Sequence, residues 1–506
     1  MLLSVGRMLR VGRLAALLLA AGCTHADTPD GAWLRVANGP DPQLLDPQLA
    51  TRVADGRVLG ALFAGLTRLD PVTLEPLPDL AAEFHAEDLG RRWRFRLRDD
   101  LRWSDGTPLK LEDVVASWRR LRDPAVGAPY ASWLDGSEVA VEEGWLTVRF
   151  PRPVPMFGEM CAFHALAPVP SALRELPPGR VPSTLPSSGP FRLVERRIRD
   201  RVRVERNPHG WRAETVALDG IDFLAVESQF TALNLFLAGE AELLFQVPSL
   251  AVEPLRERMP AAFAPEPQFA AYFLRVNVAA GPFRDPALRR AFALAIDRDA
   301  LADAVGGGRL PADALVPPLV PGYPAADAPS HDADAARAAL AEARFEGPLE
   351  LLYPSSELNR DVAEVLQQQW SEVLGLDVRL ANQESRAFAA AQQAGEYQLS
   401  RSSWVGDYLD PLTFLEIFRG GHEANRTGWS DAEFDRLLDA AAEASTADER
   451  LRLLATAETR LLASGAVLPL MVDSGQELVA PRLHGFTRNP RGYVDWGRLA
   501  LAREAP

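Results

Sequence analysis

The stretch from about residue 349 to 402 constrains the fold more than any other. Leu349 to Tyr353 reads as a strand, and Asn359 to Leu374 as an amphipathic helix with Val362, Val365, Leu366 and Val373 at helical spacing, stopped by Gly375. Leu376 to Ala381 reads as a second strand, Ser385 to Ala394 as a second helix ended by Gly395, and Tyr397 to Ser402 as a third strand. This alternation demands parallel strands joined by right-handed crossovers. In such open α/β sheets ligands sit beyond the carboxyl ends of the strands, which here means Ser403-Trp404-Val405-Gly406-Asp407-Tyr408. Two more helices follow, with Ser430/Glu433 and Thr446/Glu449 reading as capping boxes and Gly465 closing the second.

At 506 residues the chain is long enough for roughly three domains. A hydrophobic fraction of 47%, a charged fraction of 24% and a mean hydropathy of −0.09 describe a folded protein, neither disordered nor membrane-spanning in bulk. The net charge of −15 argues against nucleic acid as a partner, because counterion release needs a basic face. Arg196 to Arg206 is rich in arginine, yet Glu195, Asp200 and Glu205 interrupt it and Val202 and Val204 alternate, so it reads as an outward strand face. Lys110 is the only lysine, which removes lysine-dependent Schiff-base or phosphate-loop chemistry elsewhere.

Constellations that carry catalysis are sparse. The histidines His25, His85, His164, His209, His331, His422 and His484 are scattered singly, and no H-E-x-x-H or cysteine-histidine zinc spacing occurs. There is no G-x-S-x-G, no Walker phosphate loop and no Rossmann fingerprint. Gly306-Gly307-Gly308 follows a helix ending near Val305 and reads as a helix exit. The expectation is no cofactor, no metal and no catalytic residue, although a triad assembled from distant residues stays open.

The amino terminus is a targeting signal by its pattern. Arg7, Arg10 and Arg13 precede the apolar run Leu14 to Ala21, too short to cross a bilayer of about 30 Å, and Gly22 and Cys23 follow. Leu19-Ala20-Ala21-Gly22-Cys23 resembles a bacterial lipobox, with Ala20 where leucine is usual. Residues 1–22 are then expected to be removed and Cys23 to carry a lipid anchoring the chain to a membrane surface. The other reading is plain secretion with Cys23 incidental. In either case Cys161 is left as a single thiol, so a disulfide framework is excluded.

Arg92 to Arg98 alternates Trp93, Phe95 and Leu97 with arginines, the mark of a half-buried strand. Trp103-Ser104-Asp105-Gly106-Thr107-Pro108 is a turn, followed by Val114, Val115, Trp118 and Leu121 at helical spacing. These blocks, with Leu80-Ala81-Ala82-Glu83 and Glu112-Asp113-Val114-Val115, resemble the signature of the family 5 extracellular solute-binding proteins of ABC importers. Asp123-Pro124 to Pro129-Tyr130-Ala131-Ser132-Trp133-Leu134 is similar to the oligopeptide-binding branch. Ser187-Ser188-Gly189-Pro190-Phe191, Glu205-Arg206-Asn207-Pro208, Asn277, Pro282-Phe283 and Ala295-Ile296-Asp297-Arg298 match further blocks in order, so the resemblance runs from about Trp33 to the carboxyl end.

That resemblance implies an α/β, two-lobed periplasmic-binding-protein-like clamp of type II, with the three-domain peptide-binder architecture and mixed sheets. Domain I would comprise residues 28–67, 185–275 and 479–506, domain II residues 68–184, and domain III residues 276–478. The crossing segments are expected near Arg275 to Asn277 and near 475–482, and lobe closure would bury the ligand. The implied function is capture of oligopeptides in the cell envelope or periplasm by a lipid-anchored monomer, and delivery to ABC permease subunits.

Site residues follow by the same resemblance. Asp407 matches the aspartate that holds a peptide α-ammonium, with a turn or helix-leading carboxylate near Pro411 as its other reading. Arg401 matches an arginine that meets peptide carboxylates; Ser403 and Val405 would pair the peptide backbone and Trp404 would wall a pocket, with Tyr408 beside them. Asp55 matches a glutamate lining the groove. Two positions depart from the pattern, Gln392 replacing a second arginine and Asn359 a histidine, both of which help hold peptide carboxyl ends in the family. Non-peptide ligands of the same fold (nickel, haem, sugar, opine) and a secreted lipid-anchored hydrolase remain as alternative readings.

Overall fold

The computed structural model describes residues 31–182 and 184–502, with Ser385 described by its backbone alone; residues 1–22 and Cys23 lie outside the described residues. Two six-stranded mixed sheets and one antiparallel four-stranded sheet organise the chain. The first sheet has the order Leu478–Val479, Leu243–Leu244, Trp33–Gly39, Gly220–Ala225, Arg201–Arg206, Phe191–Arg197. The second has the order Leu310–Pro311, Val467–Gly475, Glu266–Val276, Leu399–Val405, Leu349–Pro354, Val378–Gln383. The third consists of Ala81–Glu87, Arg92–Leu97, Trp145–Arg149 and Glu138–Glu142.

The β-α-β-α-β expectation matches the second sheet. Leu349–Pro354 pairs in parallel with Val378–Gln383 and with Leu399–Val405. The helix Glu357–Leu374 begins two residues earlier than the hydrophobic pattern suggests, because the Ser356 side chain accepts from the Asn359 amide and caps it. Gly375 ends it with φ 68°, a left-handed position that glycine adopts without a Cβ penalty. Val362, Leu366 and Trp370 face the core and are at most 2% exposed. The indole N–H of Trp370 donates to the Phe292 carbonyl at 3.3 Å, so its polar atom is satisfied in the core.

Other expectations shift for identifiable reasons. The third strand runs on to Val405 because residues 399–405 pair antiparallel with Glu266–Val276 along their whole length. The arginine-rich run is a hairpin, Phe191–Arg197 with Arg201–Arg206, rather than one strand. The helix Ala432–Ala442 is capped by Asp431 and not Ser430: the Asp431 carboxylate accepts from the amides of Glu433 at 2.9 Å and Phe434 at 3.0 Å. Thr446 caps Ala447–Ala463 as expected.

One crossing between the large sheets falls about ten residues before Arg275. Glu266–Val276 lies entirely in the second sheet, whereas Phe263 bridges Leu478 of the first. The chain therefore passes at 264–265 and returns at 476–477. The Gly306-Gly307-Gly308 exit packs on this passage: the Gly307 carbonyl accepts from Ser474 Oγ at 2.5 Å and Gln476 Nε2 at 3.2 Å. Cys161 is fully buried in the core of the third sheet.

Trp370→Ala, which empties a fully buried aromatic site, should lower the unfolding free energy by about 3–5 kcal/mol. Guanidinium chloride unfolding followed by tryptophan fluorescence and circular dichroism measures it.

Candidate functional site

A cavity of about 850 Å³ lies where the large sheets and the third-sheet region meet. Its walls come from the helix Val53–Leu62 and the turn after it, from Gly127 to Ser132, from Ala162 to His164, from Ser403 to Asp407, from His422 to Arg426, and from Arg491 to Trp496. Aromatic rings of Tyr130, Phe163, Trp404 and Trp496 give it apolar surface, and arginines and carboxylates alternate between them.

The strand Leu399–Val405 supplies its most specific feature. Toward Leu349–Pro354 it pairs only at Leu399 and Ser400, so its last five residues have an open side. Which main-chain groups face that side follows from alternation. The Gly406 amide donates to the Phe269 carbonyl at 2.8 Å, toward the neighbouring strand, and the Arg401 carbonyl accepts from Gln392 Nε2 at 3.1 Å, away from it. Ser403 and Val405 share the parity of Arg401, so their N–H and C=O groups point to the open side. Gly406 then lets the chain turn against Phe269: a Cβ there would stand 2.3 Å from the ring. The next residue is Asp407.

Asp407 is half-buried and flanked by a buried cation. The Arg491 guanidinium donates to the Asp407 carbonyl and lies 4.0 Å from Glu159, whose carboxylate accepts from the Leu409 amide at 3.0 Å. Thr413 Oγ1 accepts from the Asp407 amide at 3.1 Å. Burial raises the Asp407 pKa to about 6, against the opposing pull of Arg491 and Thr413. Glu416, half-buried nearby, is raised to about 7, chiefly by desolvation, while the Tyr408 hydroxyl donates to it at 2.7 Å. Across the cavity Asp79 is raised to about 6 by burial, with Arg212 and the Trp211 indole holding it down. His164 is lowered to about 4 by burial and is a neutral ring, its Nδ1 lying 2.7 Å from the Pro47 carbonyl.

The structure brings together four of the residues singled out from the sequence: Ser403, Trp404, Val405 and Asp407 all line the cavity. The other five stand behind it. Arg401 stacks over the Tyr272 ring at 4.4 Å, and the Tyr272 hydroxyl donates to Asn359 at 2.9 Å. Tyr408 is 2% exposed and engaged with Glu416. Asp55 is fully buried, with Oδ1 accepting from the Gln43 amide at 2.9 Å. Gln392 is buried, bridging Ser400 Oγ and the Arg401 carbonyl. Arg491, Asp79, Asp495 and Arg426 line the cavity without having been singled out. Each sits in a turn or short segment with no periodicity to mark it.

The family model described as bacterial extracellular solute-binding proteins, family 5 middle, matches residues 75–426. The chain is 29% identical to the periplasmic oligopeptide-binding protein OppA of Salmonella typhimurium, over 95% of each chain. It is 30% identical to the probable deoxycholate-binding periplasmic protein YgiS of Escherichia coli, over 95% of this chain and 97% of that one. The structure of Haemophilus influenzae OppA in complex with the peptide RPPGFSPFR superposes with a TM-score of 0.86 at 25% identity, covering 94% of this chain and 100% of that one.

Because the folded-state pKa of Asp407 lies above the ordinary 3.8, its ionised form destabilises the ligand-free protein above about pH 6. Protonation relieves that cost as the pH falls from about 6 to 3.8. Asp407→Asn should therefore stabilise the ligand-free protein at neutral pH by about 1–3 kcal/mol, with the difference from wild type gone below the window. Thermal unfolding of both proteins across that range measures it.

Proposed function

The chain belongs to the bacterial extracellular solute-binding proteins of family 5, and on that premise we propose that it is the substrate-binding component of an ABC importer, taking oligopeptides into its cavity and handing them to membrane permease subunits. The open side of Leu399–Val405, ending in Asp407, is the observation that carries this reading. A peptide of any sequence offers a constant main chain and a charged amino end. Ser403 and Val405 provide the added-strand contacts, and Asp407 provides the counter-charge for the α-ammonium. An ammonium delivered to Asp407 compensates the burial that raises its pKa, so ligand and protein each relieve the other's desolvation. Trp404 and the facing aromatics offer side chains apolar walls. Binding and release suffice for this role, and no catalytic step enters it.

We assign the hinge to the paired crossings at 264–265 and 476–477, and divide the chain accordingly into the first-sheet domain, the third-sheet domain and the second-sheet domain. Removal of residues 1–22 and lipidation of Cys23 would anchor a monomer outside the cytoplasmic membrane. Among the described residues no helix is long and apolar enough to cross a membrane. A second reading is an amphipathic carboxylate such as a bile acid, favoured by the aromatic walls and cavity arginines and by the relative named for deoxycholate.

A mixture of short peptides with free amino ends should raise the melting temperature, N-acetylated versions should not, and Asp407→Ala should abolish the shift. A shift with deoxycholate and with no free-amino peptide overturns the peptide reading in favour of the second. For the anchor, Cys23→Ser should move the protein from the membrane to the soluble fraction of its host, and mass spectrometry of the wild-type amino terminus should show acyl chains on Cys23.

A further inference from the structure

Resting on the peptide reading above, we propose that Arg426 is the receptor for the ligand's carboxylate, and that it sets where the bound peptide ends. Most guanidiniums around the cavity are already engaged. Arg68 and Arg212 stand 3.9 and 2.9 Å from Asp495, and Arg491 serves Asp407 and Glu159. Arg57 is laid over the Phe245 ring at 3.4 Å, and Arg52 lends its field to the buried Asp55. Arg52, Arg57 and Arg426 line the cavity with no ion pair among the described residues, and of the three Arg426, half-buried, is the one tied through Gln392 to the strand that leads to Asp407. Its Nη1 donates to a neutral amide, Gln392 Oε1, at 3.2 Å.

That one contact fixes where the charge stands. Gln392 is buried and spends its Nε2 on Ser400 Oγ at 3.0 Å and on the Arg401 carbonyl at 3.1 Å. It therefore blocks the main-chain acceptor that would continue an added strand beyond Ser403. The Arg426 carbonyl, in turn, accepts from the Tyr397 hydroxyl, which pins the backbone of its turn. A peptide whose ammonium sits at Asp407 runs antiparallel to Leu399–Val405, pairs at Val405 and Ser403, and finds the ladder closed at Arg401. The group it meets there is the Arg426 guanidinium, whose planar donors suit a carboxylate. From Asp407 back to Arg401 an extended chain covers about 20 Å, the length of roughly five residues with their terminal groups. Arg401 itself is not in that path, since its guanidinium is stacked on Tyr272.

The carboxylate can come from the peptide's own end or from an acidic side chain near it, and one calorimetric series on the full chain separates them. The probes are alanine-based peptides of three to six residues with free amino ends, each as free acid, as carboxyl amide, and as amide with a terminal glutamate. Wild type should bind the free acid of its best length at least about tenfold more tightly than the amide. Arg426→Met should bring acid and amide to parity, and so should Arg426→Gln, which keeps an amide at the position and tests the charge should the methionine variant fail to fold. If the glutamate amide regains the full affinity, the carboxylate is a side chain's; if it does not, it is the chain terminus. Either variant keeping the wild-type acid preference with an unchanged ligand-free melting temperature overturns the inference. An acid-to-amide ratio of one in a wild type that still needs Asp407 overturns the inference alone. A wild type that binds no peptide overturns the function and the inference together.

Discussion

Arg491 is the charge on which the centre of the molecule depends. Its side chain is 9% exposed, and its Nε and Nη1 are buried without a hydrogen-bond partner. A cation kept that dry is tolerable only beside negative charge. Glu159 comes from the third-sheet region, Asp407 from the end of a second-sheet strand, and Arg491 from the chain that has returned to the first sheet. Three segments far apart in sequence are thus held by one guanidinium and what compensates it. The arrangement also sets the chemistry of the cavity. Burial pushes Asp407 toward the neutral acid, and Arg491 opposes this, leaving a group that titrates near pH 6 and is mostly carboxylate at neutral pH.

Packing as well as hydrogen bonding aims that carboxylate. Gly406 lies so close to Phe269 that no side chain fits, and Phe269 itself is fully buried against Phe414 with ring centroids 4.8 Å apart. The position of Asp407 is therefore inherited from an aromatic core that no solvent reaches. A binding group placed this way loses little entropy on meeting its ligand, because its backbone is already fixed.

What the sequence revealed was what is local. The helix and strand periods between residues 349 and 402, the stop at Gly375 and the cap at Thr446 need only a few neighbours to be recognised, and the structure keeps them. The extension of the third strand through Ser403 and Val405 was not legible, because its partner Glu266–Val276 lies more than a hundred residues earlier. Ser430 and Asp431 are both competent caps, and only the turn geometry selects the second. At the cavity, the segment 403–408 was marked by its place after the last parallel strand and Asp407 within it by the family resemblance, whereas Arg491 and Arg426 lie in irregular segments whose meaning comes from what tertiary contact brings beside them. Gln392 shows both sides of this. Its place in a helix is periodic, but its bridge from Arg401 to Arg426 belongs to the folded state alone.

The two passages between the large sheets run side by side between two strand pairings, Glu266 opposite Gly475 and Phe263 opposite Leu478. Mechanically this is a narrow strap, not a pair of independent strings. A two-stranded strap flexes across its flat face but resists stretching, and its ladder forbids one strand from sliding past the other. With the hinge proposed there, an opening of the cavity would run through that single bend. Motion with one soft direction retraces itself, so walls parted to admit a ligand would come back into the same register, and Asp407 would meet the same facing residues at every cycle.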